Sequence, residues 1–289
     1  MKITISGSSG FIGQHLIRFF SEKNYKTNIL VRDKKKHIHK TFWDPDNNYL
    51  DDSLINNSDV IVNLNGNKII QTIPRRKNSD LKNSRIKPTK TLIDSIVKCK
   101  NPPKLLISAS ACGFYGNRPN EILSEDSPKG IGILPDLVNE WESIQTLKNT
   151  RIVFLRLGTI ISQDSPMIIN MKRFSSVIGI NKLGPSRNFF PWISLFDSLR
   201  AIDHIIDNEN LSGPINLTSE KTTKMKNALK DINLFIRPVV KFPIHKNIIS
   251  LVFGEIGKEL FLNDQNVIPT KLINSNFNWK KPTINESLT

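Results

Sequence analysis

Met1-Lys2-Ile3-Thr4-Ile5-Ser6-Gly7-Ser8-Ser9-Gly10-Phe11-Ile12-Gly13 opens the chain, and its reading decides the fold. A short β-rich run reaches a glycine loop, and the loop enters a helix with apolar residues at Phe11, Ile12, Leu16, Ile17 and Phe20. Strand, phosphate loop and helix stand in the order that a dinucleotide site requires. Gly7 permits the tight turn, Gly10 removes a Cβ where a pyrophosphate meets the backbone, and Gly13 lets the helix lie close to the strand. The helix N-terminus adds free N–H groups and partial positive charge. Gly7, Ser8, Ser9, Gly10, Phe11, Ile12 and Gly13 are therefore the first candidate cofactor-binding residues. Their spacing is Gly-x-x-Gly-x-x-Gly, and its place directly after the first strand gives the motif its weight.

Working outward, strand-like and helix-like segments alternate. Lys26 to Val31 reads as strand two, and Thr41 to Trp43 as a short strand three ended by Asp44-Pro45. Asp59 to Leu64 is a continuous apolar run, as expected of a strand covered on both faces. A long helix runs from about Ser79 to Cys99, with Leu81, Ile86, Leu92, Ile93 and Ile96 as its buried stripe. Lys104 to Ser110 is strand five, Pro135 to Leu147 a helix, and Arg151 to Leu157 strand six. This βαβ repetition predicts an α/β, Rossmann-type doubly wound parallel sheet with ligands outside the carboxyl ends of its strands. After about Ser162 the pattern loosens. Helices are expected at Met167 to Ile178 and Leu195 to Ile206, and a last strand at Ile215 to Thr218. Residues 1–220 are thus expected to form the nucleotide-binding domain, with residues 163–200 partly on the substrate side. Residues 221–289 are expected to form a small, mainly helical C-terminal domain on the substrate side.

Composition narrows the function. The chain has 289 residues, with 41 Lys plus Arg against 26 Asp plus Glu, for a formal charge of +15. That excess favours an anionic partner. No basic surface interleaved with aromatics points to nucleic acid, and no apolar run reaches the roughly 20 residues of a membrane helix. The N-terminus goes straight into a strand and lacks a signal-peptide layout, so a cytoplasmic protein is expected. Cys99 and Cys112 form neither a metal-ligand spacing nor a disulfide framework, and no metal site is expected.

A family resemblance rests on residues along nearly the whole chain. To the glycine loop it adds Trp43-Asp44-Pro45, Asn63-Leu64-Asn65-Gly66 and Ser84-Arg85. Ser108-Ala109-Ser110-Ala111-Cys112-Gly113-Phe114-Tyr115-Gly116 follows, then Ser124-Glu125-Asp126-Ser127-Pro128, Glu140-Trp141-Glu142 and Arg156-Leu157-Gly158. Toward the C-terminus come Leu211-Ser212-Gly213-Pro214-Ile215-Asn216, Gly254-Glu255 and Gln265-Asn266-Val267-Ile268-Pro269. The chain resembles the extended short-chain dehydrogenase/reductase superfamily. Within it, it is similar to the atypical branch of "epimerase family" proteins, whose cyanobacterial and plastid members are often labelled SulA-like cell-division inhibitors. The resemblance implies a Rossmann-type fold and NADP(H) binding. It leaves the substrate unspecified, and it leaves a homodimer and a cell-division partner open.

The cofactor expectation also has a local basis. In NAD-preferring relatives an acidic side chain ends strand two and bonds the ribose hydroxyls. Here that register holds Val31, followed by Arg32, whose guanidinium can take a 2′-phosphate bidentately. Lys34, Lys35 and Lys36 add positive field, while Asp33 stands one residue beyond Arg32. NADP(H) is favoured over NAD(H). Leu64, Asn65 and Gly66 should border adenine and ribose, Ser108 to Ser110 should face the nicotinamide side, and Arg85 lies on the long helix that faces the cleft in relatives.

Ordinary members of the superfamily use Ser, Tyr and Lys, the last two as Tyr-x-x-x-Lys. No such pair occurs in this chain. Aligning Glu142 with the family's glutamate puts Leu134 and Val138 at the two positions. Ser110 is the serine equivalent and Tyr115 the tyrosine nearest the cleft. These two are the candidate catalytic residues, with Lys129, Arg118 and Arg187 as candidate cations beside Tyr115. Ser194 stands where the branch commonly has His. Phe114, Trp141, Phe190, Trp192 and Phe253 are candidates for the pocket's apolar lining, and Arg156 and Arg187 for meeting an acidic substrate. Two classes of function follow: an NADP(H)-dependent reductase or epimerase with an altered acid/base group, and a non-catalytic nucleotide-binding regulator or scaffold.

Overall fold

The computed structural model describes residues 1–33, 40–67, 69, 78–143, 147–175 and 178–289. β1 (Lys2–Ser6), α1 (Phe11–Glu22) and β2 (Lys26–Val31) fall where the first 31 residues place them. β3 (Thr41–Asp44) continues outward and pairs antiparallel with a two-residue edge strand, β4 (Tyr49–Leu50). A single turn, α2 (Asp52–Ile55), leads to β5 (Val60–Asn63) on the other side of β1. After the long α3 (Asn78–Lys98) comes β6 (Leu105–Ala111). β7 (Ile122–Leu123), α4 (Ile133–Glu142) and β8 (Arg151–Leu157) follow.

Beyond β8 the chain forms β9 (Thr159–Ile161), α5 (Pro166–Ser175), β10 (Ile178–Leu183), β11 (Trp192–Ser194), α6 (Leu195–Asp207) and β12 (Gly213–Leu217). It ends with α7 (Met225–Ile236), β13 (Val240–Ile244), α8 (Lys246–Leu262), β14 (Asn266–Val267), α9 (Thr270–Asn274) and α10 (Ile284–Leu288).

The sheet order is β12-β8-β6-β5-β1-β2-β3-β4, and every pairing except β3 with β4 is parallel. The chain runs outward from β1 through β3 and then returns to β5, so the switch point lies between β1 and β5. That is where an open α/β sheet binds its ligand. Two buried layers enclose the sheet. Ile3, Ile5, Val62, Ile107 and Leu155 pack with Leu16 and Phe20 of α1 and Ile202 and Ile205 of α6. Ile61 and Leu106 point to the other face and pack with Leu92, Ile93 and Ile96 of α3. Each such side chain contributes about 1.5–3 kcal/mol by leaving water.

Three short strand pairs were not anticipated: β9 with β11, β10 with β13, and β7 with β14. Ile178 accordingly begins a strand rather than ending the helix expected over Met167 to Ile178. The helix expected from Pro135 to Leu147 starts earlier, at Ile133, and stops at Glu142. Its start is set from outside: the Glu259 carboxylate on α8 accepts the Ile133 and Leu134 N–H groups, both at 2.8 Å. A third apolar cluster joins Phe190 and Trp192 to Met225, Leu229 and Ile232 of α7 and Ile284 and Leu288 of α10. It ties the C-terminal helices to the mouth of the sheet.

Candidate functional site

The glycine loop has no slack. Gly7 sits at φ +75°, and a Cβ there would fall 2.5 Å from the Leu64 carbonyl carbon and oxygen. A Cβ on Gly13 would come within 2.5 Å of the Gly7 oxygen and 2.8 Å of Ser8 Cα. Gly10 is extended at φ −75°, ψ 166°, and caps α1 without any side-chain hydrogen bond. The first amides of α1 are therefore left to an incoming anion. A Cβ on Gly10 would meet only the Gly7 oxygen, at 3.2 Å. Ser8 and Ser9 supply backbone, and the Ser9 carbonyl accepts from Gln14 Nε2 at 2.9 Å. This cradle fits a pyrophosphate by its conformation and by its uncapped donors.

A buried polar network orders the ends of the neighbouring strands. Ser6 Oγ donates to Asn63 Oδ1 at 2.9 Å. Asn65 Nδ2 donates to Ser6 Oγ at 2.6 Å and to Asn63 Oδ1 at 2.8 Å. Asn63 Nδ2 donates to Thr89 Oγ1 and to Ser108 Oγ. Ser108 is fully buried in this network, and Asn65 with Gly66 is what reaches the cavity. Arg32 is exposed just after β2, with Nη2 3.2 Å from Asn65 Oδ1. It borders a polar cleft with Asp46, Asn83 and Lys87. Lys34, Lys35 and Lys36 lie outside the described residues.

A cavity of about 340 Å³ opens at the carboxyl ends of β5, β6 and β8. Ser110, Leu64 and Arg85 line it, together with Leu134, Val138, Trp141 and Phe190. Leu134 and Val138 thus stand in the wall itself, where the missing tyrosine and lysine are aligned. Of the five apolar candidates, Trp141 and Phe190 reach the cavity. Phe114 and Trp192 are buried in core clusters, and Phe253 packs on Phe261.

Ser110 and Tyr115 part company in the fold. Ser110 Oγ donates to Glu142 Oε1 at 2.5 Å. Glu142 is gripped by Arg156, whose Nε and Nη2 lie 3.0 and 2.7 Å from the two carboxylate oxygens. Tyr115 is completely buried and lies outside the cavity lining. Its hydroxyl donates to Asn216 Oδ1 at 2.7 Å and accepts from Arg156 Nη1 at 3.0 Å. Burial pushes the phenol well above its ordinary pKa and outweighs the lowering by Arg156. Tyr115 is therefore placed as a structural group behind the site. The cation beside it is Arg156; Lys129 and Arg118 pair instead with Asp136 and Glu121.

Four of the five Arg156 N–H groups are engaged: it also donates to the Glu125 carbonyl, and its Cζ stands over Phe114, 3.5 Å from the ring centroid. Arg187 is exposed and outside the cavity lining. Neither expected arginine meets the cavity. Ser194, at the family's histidine position, caps α6: its Oγ accepts from the Asp197 N–H at 2.9 Å. Asp197, fully buried, also accepts the Lys280 and Lys281 amides and so pins the C-terminal segment. His204 bonds Ser275 at the far end of α6. No cluster of metal-ligating side chains occurs among the described residues, and no described helix is long and apolar enough to cross a membrane.

Sequence reasoning missed Glu142 and Arg156 as partners of Ser110, and Glu259 as the cap of α4. The advance signal for Glu142 and Arg156 was their presence in the Glu-Trp-Glu and Arg-Leu-Gly segments; Glu259 had none.

Comparison with known proteins agrees with this geometry. Residues 3–131 match the NAD dependent epimerase/dehydratase family, and residues 247–289 match a domain of unknown function, DUF1731. The chain is 31% identical over 300 residues to epimerase family protein Mb2239 of Mycobacterium bovis, covering 99% of this chain and 96% of that one. It is 25% identical to the chloroplastic epimerase family protein SDR39U1 homolog of Arabidopsis thaliana, covering all of this chain and 86% of that one. Human epimerase family protein SDR39U1, crystallised with NADPH, superposes with a TM-score of 0.87 at 21% identity, covering 99% and 97% of the two chains.

Proposed function

The chain belongs to the epimerase family of extended short-chain dehydrogenase/reductases, with its DUF1731 C-terminal domain, and from that premise we propose that it is an NADP(H)-binding reductase or epimerase working without the Tyr-x-x-x-Lys pair. One observation carries this reading: the uncapped helix α1 and its glycine cradle, at the carboxyl end of β1, stand on the same edge of the sheet as a cavity lined by Ser110 at the carboxyl ends of β5, β6 and β8. Residues 1–220 act as the cofactor domain and residues 221–289 as the substrate-side domain of a cytoplasmic protein. The glycine loop and the first amides of α1 hold the pyrophosphate. Leu64 to Gly66 border the adenosine, and Arg32 takes the 2′-phosphate. The human relative crystallised with NADPH supports the choice of phosphorylated cofactor.

When bound, the cofactor supplies hydride chemistry at its nicotinamide. The protein's part is the proton. Because the Ser110 hydrogen points to Glu142, the Ser110 oxygen offers lone pairs to the cavity. Ser110 accepts the hydroxyl proton of an alcohol substrate as it hands its own to Glu142, and returns it in reduction. Across a panel of carbonyl and alcohol compounds, Ser110→Ala and Glu142→Gln should each lower turnover roughly 100-fold or more. NADPH affinity, read by fluorescence, should be unchanged. Tyr115→Phe should leave turnover within a few-fold, and equal loss in that variant would return the acid/base role to the phenol.

A second prediction tests the cofactor. Arg32→Glu should weaken NADPH roughly 10- to 100-fold and NADH only slightly, because a charge-assisted pair to the 2′-phosphate is replaced by repulsion. Equal losses for the two cofactors would remove Arg32 from the phosphate site.

One observation favours the second reading, a nucleotide-binding regulator linked to cell division. Leu134 and Val138 make the wall apolar where relatives carry their acid. Stoichiometric NADPH binding without substrate-dependent oxidation over the whole panel would select it.

A further inference from the structure

The cavity carries a cation that no described residue in it neutralises. Arg85 on α3 is 6% exposed and lines the cavity beside Gly66 and Trp141. Three of its five guanidinium N–H groups are spent on neutral oxygens: Nη1 on the Leu81 carbonyl at 3.0 Å and Ser84 Oγ at 3.2 Å, and Nη2 on the Asn67 carbonyl at 3.0 Å. The other two have no acceptor among the described residues, and no described carboxylate pairs with it. The stretches outside the described set (residues 34–39, 68, 70–77, 144–146 and 176–177) contain no Asp or Glu. One acidic residue lines the same cavity among the described residues, Glu259, and both its oxygens are taken by the amides that start α4.

A buried guanidinium without a counter-charge is costly. Burial lowers the Arg85 pKa from its ordinary value to about 10, still far enough above neutrality to keep the charge. The rest of the lining is largely neutral and apolar, with Leu134, Val138, Trp141 and Phe190 prominent. Trp141 also supports the cation from one side, with Arg85 Cζ 5.3 Å from its ring centroid. At Gly66 a Cβ would stand in ordinary contact with the guanidinium, 3.4 Å from Cζ, so the backbone there runs directly beside the cation.

The cofactor does not need this charge under the reading above. Its pyrophosphate has the α1 terminus, and its 2′-phosphate has Arg32 in the adjoining cleft, from which Arg85 is screened by Asn67 and Ser84, the two residues it bonds there. We propose that Arg85 is the anion receptor of the substrate: the compound oxidised or reduced at Ser110 is small, largely apolar and carries one carboxylate or phosphate, which Arg85 holds against Trp141. Sequence similarity to relatives placed Arg85 with the cofactor; the geometry points to the substrate. The inference rests on the NADP(H)-site reading and sharpens it.

The test uses the full chain saturated with NADP⁺ and calorimetric titration of two matched pairs. Phenylpyruvate against its methyl ester probes the carboxylate, and dihydroxyacetone phosphate against dihydroxyacetone probes the phosphate. In one pair the anion should bind roughly 10- to 100-fold tighter than its neutral partner. Arg85→Gln should shrink that ratio to below about twofold, and Arg85→Lys should keep part of it. NADPH affinity should be unchanged in both variants. Equal binding within both pairs, or no anion binding to protein that binds NADPH, would overturn the proposal. So would a loss of NADPH affinity in Arg85→Gln, which would return Arg85 to the cofactor. Failure of the unmodified protein to bind NADPH would instead strike the underlying reading.

Discussion

Gly13→Ala should abolish cofactor binding and destabilise the fold together, whereas Gly10→Ala should abolish binding with much less loss of stability. At Gly13 the new Cβ would lie 2.5 Å from the Gly7 oxygen and 2.8 Å from Ser8 Cα. Both are backbone atoms, so no side chain can swing aside. The loop cannot retreat either, because Gly7 is itself at φ +75° with its own Cβ position blocked by Leu64 backbone. The helix must be pushed off the loop, which costs about 1–3 kcal/mol as overpacking does elsewhere, and its N-terminal amides lose their aim. At Gly10 the backbone is extended and the nearest atom, the Gly7 oxygen, would be 3.2 Å away, so alanine requires a shift of only a few tenths of an ångström, far less than at Gly13. It stands, however, where the pyrophosphate approaches. Urea denaturation and NADPH titration on the two variants check this. Gly13→Ala should lose stability and at least roughly 100-fold in affinity. Gly10→Ala should lose much less of its unfolding midpoint than Gly13→Ala while losing affinity to a similar extent. Undiminished NADPH affinity in Gly10→Ala would place the pyrophosphate somewhere other than this loop.

Arg156→Leu should be the most damaging substitution outside the loop, at about 3–5 kcal/mol. The guanidinium side chain is 4% exposed and fixes four things at once: the Glu142 carboxylate, the Tyr115 hydroxyl, the Glu125 carbonyl and the face of Phe114. Leucine would leave Glu142, with a side chain 11% exposed, as a nearly buried charge held only by Ser110 among these partners. The loss is chiefly that of the abandoned carboxylate. The double variant Arg156→Met with Glu142→Gln should therefore recover at least about 1 kcal/mol over Arg156→Leu. Chemical denaturation of the single and double variants measures the difference. A double variant no more stable than the single would show that packing on Phe114 and Tyr115, rather than charge, dominates.

The core of the doubly wound sheet was legible from local pattern. Lys26 to Val31 and Arg151 to Leu157 were placed to the residue as β2 and β8. The glycine loop adopts the turn and close helix approach that its spacing predicts. These features are written by neighbours in sequence: alternation sets a strand, a 3.6-residue period sets a helix, and a missing Cβ sets how closely a loop can pack. The region beyond β8 was less legible because β9 and β11, of three residues each, are too short to carry a period, and β10 with its interleaved glycine and lysine shows none. Each gains its partner from another part of the chain, as Ile178 does from Val240.

By itself, then, the amino-acid order determined the doubly wound sheet, the tight glycine loop after β1 and the absence of a Tyr-x-x-x-Lys pair. The tertiary structure alone decided what each polar side chain is for. It sent Tyr115 to Asn216, 101 residues away, and Glu259 to the start of α4, 126 residues away from Ile133. It joined Ser110 to Glu142, engaged Arg156 and left Arg85 uncompensated in the cavity. The reason is physical. Backbone pattern depends on contacts within a few residues, whereas the role of a charge or hydroxyl depends on which distant groups share its low-dielectric surroundings.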